Sequence, residues 1–125
     1  MARFRPGQRL RKAAEFDRVF RQGVRLDGAL FLLIAAPNDG PQDRLGLAVS
    51  RRVGGAVVRN RARRLLRESF RRLERRTRPS ADLVILAKPA LAGCGLAEVS
   101  RELAARARQL ERAAGRGRPR PAPSR

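Results

Sequence analysis

The chain has 125 residues, with thirty Lys and Arg against eleven Asp and Glu, a net charge of +19, no histidine and one cysteine. That length suits one domain with a modest core, the lone Cys94 excludes an internal disulfide or a zinc cluster, and the usual proton shuttle is missing. The charge excess points to a polyanion, nucleic acid before an anionic membrane surface.

Residues 1–9 are basic, carry Pro6 and Gly7, and read as a flexible arm; without an apolar stretch they make no secretory signal. No run approaches the roughly 18 apolar residues of a membrane span, so a soluble, cytoplasmic protein is expected. From Leu10 to Gln22 the recurrence of Ala13, Phe16, Val19 and Phe20 predicts a helix stopped at Gly23. Phe16 and Phe20 share one face one turn apart. They serve either as core or as a stacking surface for exposed bases, and both hold if a ring edge lines a groove.

Val24–Gly28 predicts a short edge strand, and the apolar run Leu30–Ala36 a second strand closed by the turn residues Pro37 to Pro41. Leu45–Ser50 is expected to return beside it as a hairpin. Leu45, Leu47 and Val49 point one way; Gly46, Ala48 and Ser50 leave the other face shallow enough for a helix or an extended nucleic-acid strand. Arg51 to Gly55 is a basic loop with two glycines, and it lacks the ending of a Walker motif.

Ala56 to Arg76 is the most informative stretch. Val58, Ala62, Leu65, Leu66, Ser69, Phe70 and Leu73 recur every three or four residues as one apolar stripe, while Asn60, Arg63, Arg64, Arg67, Arg71 and Arg75 fall opposite. Nine arginines stand here against two acids, Glu68 and Glu74, so most of the positive face is uncompensated. Such a face repels itself, and polyanion binding would relieve that repulsion while releasing counterions. Arginine supplies twenty-eight of the thirty basic residues. Its planar fork suits phosphates and bases, though a GC-rich genome would write the same bias.

Arg78-Pro79 ends the helix. Leu83–Ala87 predicts a buried strand before Lys88-Pro89, and Ala97–Ala114 a last helix with Val99, Leu103, Ala107 and Leu110 inward. Residues 115–125 are low-complexity and expected to be disordered. The fold class is α+β: one domain over 10–114, one sheet of about four strands, and helices. No catalytic residue is identified. Cys94 and the serines lack a histidine to activate them, and the carboxylates do not cluster for a metal.

Ala56-Val57, Arg59-Asn60-Arg61, Arg63-Arg64 and Arg67-Glu68, after Val49-Ser50-Arg51-Arg52-Val53-Gly54, form an ordered set. It resembles the signature of the protein subunit family of bacterial ribonuclease P, roughly A-V-x-R-N-R-x-[KR]-R-x-x-R-E after V-S-[KR]-[KR]-x-G. Arg9-Leu10, Phe16, Phe20, Gly23, Gly46-Leu47 and Lys88-Pro89 extend the likeness over residues 9 to 112. It implies an α-β-β-β-α-β-α order with a left-handed crossover through the Arg-rich helix, a hand that periodicity does not suggest. It further implies binding to a large catalytic RNA that removes the 5′ leader of precursor tRNA, with Mg²⁺ held mainly by that RNA.

The resemblance implies two surfaces. Arg51, Arg52, Arg59, Asn60, Arg61, Arg63, Arg64, Arg67 and Arg71 would contact the RNA subunit, with a structural role as the alternative for Arg59. Phe16, Phe20, Ile34, Arg63 and Arg67 would line a groove for the single-stranded leader. Ile34 departs from the aromatic frequent there in the family and would offer apolar contact instead of stacking. No obligate protein partner and no membrane are expected. A ribosomal RNA-binding protein is the main rival; a DNA-binding architectural protein lacks its helix-turn-helix or zinc module.

Overall fold

The computed structural model describes residues 9–38, 40–73 and 80–115, with side chains to 112. The N-terminal arm up to residue 8, the stretch containing Glu74, Arg75, Arg76 and Arg78-Pro79, and the tail from 116 lie outside the described residues. The elements are α1 (Ala13–Gln22), β1 (Val24–Asp27), β2 (Phe31–Pro37), β3 (Arg44–Ala48), α2 (Ala56–Arg72), β4 (Ala81–Ala87) and α3 (Leu96–Gly115), with a 3₁₀ turn at Pro89–Gly93. Their order is the expected α-β-β-β-α-β-α.

Helix α1 begins three residues later than its periodicity predicts. Leu10 is buried and donates its N–H to the Leu45 carbonyl at 2.9 Å, so the chain enters extended along β3. The Glu15 carboxylate then accepts the N–H groups of Arg11 and Lys12, both at 3.1 Å, and starts the helix.

The expected hairpin between the second and third strands does not form. The sheet order is β1-β2-β4-β3, with β4 antiparallel to β2 and parallel to β3. Burial explains the correction. β2 and β4 are apolar on both faces and take the centre, whereas β3, shallow on one face, is stable at an edge. Parallel pairing of β3 with β4 then requires a crossover, which α2 supplies.

The sheet separates two apolar layers. On one face Phe31, Leu33, Leu45, Leu83 and Ile85 meet Ala62, Leu66 and Phe70 of α2 and Val99, Leu103 and Leu110 of α3. On the other, Ile34, Ala36 and Val84 meet Val19 of α1. Gly46 belongs to this second face: a Cβ there would lie 2.6 Å from the Phe16 ring, so the shallow strand admits α1. No helix among the described residues is long and apolar enough to cross a membrane.

Candidate nucleic-acid interface

The stripe of α2 is buried as its spacing requires. Ala62, Leu66, Ser69 and Phe70 are inaccessible, and Val58, Leu65 and Leu73 pack half-buried beside them. This fixes the rotation of the helix and turns Asn60 and Arg64 to solvent.

The loop before α2 presents Arg51 and Arg52 exposed, while Val53 beside them is buried and anchors the turn. Val53 and Gly54 donate their N–H groups to the carbonyls of Ser50 and Arg51, at 3.1 and 3.2 Å. Gly54 sits at φ 155°, and a Cβ there would meet Val58 Cγ1 at 2.7 Å, so only glycine lets the chain enter α2 this way. The first turn of α2 carries no acid and no side-chain cap. Its amide groups therefore add positive potential beside the two loop arginines.

The nine residues that the resemblance assigns to the RNA subunit do not share one environment. Arg63 is half-buried and donates to Asn60 Oδ1 at 3.0 Å. Burial, and then the positive charges of Arg9 and Arg63, push the Arg67 guanidinium below its ordinary pKa. Arg71 pairs with Glu68, which also accepts from Arg72 at 2.8 Å. Arg61, though exposed, donates to the carbonyls of Ala92 at 3.3 Å and Cys94 at 2.9 Å, tying α2 to the turn before α3. Arg59 lies at the apolar flank, half-buried, with its Nε unpaired among the described residues.

Arg61, Arg64, Arg67 and Arg71 line an open cleft of about 760 Å³ together with Glu68, Leu65 and Leu96. The start of α3 thus contributes to this surface, a neighbour that the α2 pattern did not reveal.

On the opposite sheet face Phe16, Phe20, Leu32 and Leu86 are half-buried and pack against the cluster of Leu10, Val19, Ile34, Ala36 and Val84. Ile34 is corrected: at 0% exposure beneath α1 it is core and offers no surface to a ligand. Leu32, two residues before it on the same face, is half-buried instead. Leu32 pairs with Leu86, and Leu86 with Ala48, so a half-buried apolar row crosses three strands beside α1. Strand alternation alone could not find this row, because Leu32 and Ile34 share a face and only the placement of α1 separates them.

Among the described residues no three His, Cys, Asp or Glu side chains come together to hold a metal ion. Each described carboxylate is already engaged: Glu15 and Asp82 by Arg44, Asp17 by Arg21, Asp27 by Lys88, Glu68 by Arg71 and Arg72. Asp43, Glu98 and Glu102 accept backbone N–H groups, and Glu111 is likewise partnered. Among the described residues no carboxylate is left without a partner to hold a Mg²⁺ ion. Burial, with Glu98 nearby, raises the Cys94 thiol pKa, the opposite of what a nucleophile needs.

The described residues thus form a single-sheet α+β domain with an arginine-rich helix on one face of the sheet and a half-buried apolar row beside α1 on the other. The Ribonuclease P family model matches residues 4–111, and the chain belongs to that family. The ribonuclease P protein component of Syntrophobacter fumaroxidans is 41% identical over 105 residues, 83% of this chain and 88% of that one. That of Shouchella clausii is 47% identical over 83 residues, 65% of this chain and 67% of the other. The solved ribonuclease P protein of Thermotoga maritima is 28% identical with a TM-score of 0.68, covering 83% of this chain and 96% of that one. The chain is thus a subunit of the endoribonuclease that acts in tRNA 5′ processing.

Proposed function

We propose that the loop at Arg51-Arg52 and the outer face of α2 bind the catalytic RNA of ribonuclease P. The groove between α1 and the Leu32–Leu86–Ala48 row receives the single-stranded 5′ leader of precursor tRNA. One observation carries this reading: Arg64 and Arg67 have no carboxylate partner among the described residues, and Arg67 is held beside two further cations. A phosphate placed there neutralises charges that the fold leaves facing one another.

Catalysis is assigned to the RNA, with Mg²⁺ bound mainly by it and supplying activation of water and stabilisation of the leaving oxygen. The protein's own part is to add counter-charge, to seat the leader against an apolar floor, and to hold α2 rigid through the Arg61 ties. Its place is the cytoplasm, with the catalytic RNA and precursor tRNA as partners and no obligate protein partner.

The purified chain, added to a bacterial ribonuclease P RNA at low Mg²⁺, should restore removal of the leader. No stimulation would overturn the reading, and a preference for ribosomal RNA would replace it. For the groove, Phe16→Ala should weaken leader-bearing precursor more than mature tRNA; equal losses would make Phe16 core only. A stacked or apolar base contact is worth about 1–3 kcal/mol.

A further inference from the structure

Among the described residues α1 is the one helix on its sheet face, and Val19 is its only fully buried residue. So little apolar burial leaves an element able to tilt or slide unless something directional fixes it. Beneath it lies Asp82, the second residue of β4, at 0% exposure. Its Oδ1 accepts from Arg44 Nε and from Asn38 Nδ2, each at 2.8 Å. Its Oδ2 accepts from Arg44 Nη2 at 2.8 Å and from Arg18 Nη2 at 2.5 Å. Four charge-assisted or amide bonds fill both carboxylate oxygens.

The cations belong to different elements. Arg18 stands on α1 and also donates to the Pro37 carbonyl at 3.1 Å, at the end of β2. Arg44 opens β3 and reaches on to Glu15 Oε2 of α1 at 3.0 Å. One buried carboxylate therefore ties α1 to the sheet at two points, Glu15 and Arg18, on either side of Phe16. Phe20 lies two residues past the second tie.

We propose that Asp82, through Arg18 and Arg44, is a positioning residue for leader recognition: the clamp sets where α1 lies and hence the width of the groove between its phenylalanines and the Leu32–Leu86–Ala48 row. Being inaccessible, Asp82 touches no ligand and acts only through α1. This rests on the groove reading given above.

The test uses the reconstituted holoenzyme and measures affinity for precursor tRNA and for mature tRNA with wild type, Arg18→Met and Arg18→Lys. Arg18→Met removes one tie and leaves Asp82 with Arg44 and Asn38. The ratio of the two affinities should fall by about five- to tenfold, in the range for coupling through one packed element. Affinity for mature tRNA should hold, and Arg18→Lys should recover part of the ratio. A merely structural role would lower both affinities together or neither, and either result overturns the clamp. Should Arg18→Met not fold, Glu15→Gln keeps the helix start and loosens only the outer tie. A fall of about two- to threefold is then expected, and an unchanged ratio overturns the proposal. A wild-type holoenzyme that binds both RNAs equally overturns the groove reading itself and this proposal with it. Discrimination kept by the variants overturns the clamp alone.

Discussion

Arg18 and Arg44, between α1 and the sheet, and Arg63, Arg64 and Arg67 along α2, are one residue type in opposite circumstances. The first pair converges on a carboxylate with 0% exposure, Arg44 through two parallel bonds and Arg18 through one. The second group meets no carboxylate among the described residues and is crowded by its own kind. Arginine is structural where the fold supplies a buried anion, and a recognition element where it does not. The chain's large positive charge therefore contains two populations, and substitution should separate them.

The largest effect is expected at Asp82. Asp82→Ala strands two guanidinium groups at the sheet and should cost about 3 kcal/mol in urea unfolding, the low end for a broken buried pair because both arginines keep partial solvent access. A loss below about 1 kcal/mol would mean that the clamp is solvated. Acid should act in the same direction but less, since a protonated carboxyl still accepts some of these bonds. Burial opposes ionisation of Asp82, yet hydrogen bonds from Arg44, Asn38 and Arg18 outweigh it and hold its pKa below the ordinary 3.8. A depressed carboxylate stabilises the fold above its unfolded pKa and loses that contribution as pH falls through the folded value. Stability should be level near neutrality and decline below about pH 4, with Asp82→Asn flattening that decline.

Arg61→Ala comes next. Losing the bonds to the Ala92 and Cys94 carbonyls should cost about 1–2 kcal/mol, while the salt dependence of RNA binding stays as in wild type. A lower salt slope would return Arg61 to the RNA-facing group. Arg67→Ala is the smallest in stability, within about 0.5 kcal/mol of wild type, because it removes a cation that burial and its neighbours already disfavour. In RNA binding it should reduce the salt slope by about 0.7–0.9. The two substitutions thus exchange their effects, which sharpens the division between the populations.

Much of this was legible in the sequence wherever the signal is local. The α2 stripe and its opposed arginines follow from 3.6-residue periodicity, and the apolar run of β4 told of burial on both faces. What escaped depends on partners far along the chain. The hairpin expectation failed because nothing in Leu45–Ser50 says that β4, encoded some forty residues on, inserts between it and β2. Arg61 reads as one more cation of the motif until the Ala92 and Cys94 carbonyls arrive beside it. Ile34 and Leu32 are indistinguishable by alternation, and α1 lies over only one of them. Asp82 left one unused signal: a lone acid near the start of an otherwise apolar strand, in a chain where acids are scarce.

The central claim is that unpaired guanidinium groups on α2 and its preceding loop meet RNA phosphates. Binding of the chain to the ribonuclease P RNA, measured from low to high salt, tests it directly. With Arg51, Arg52, Arg63, Arg64 and Arg67 each neutralising one phosphate, log K should fall against log salt with a slope of about −3.5 to −4.5. A slope near zero would contradict the account.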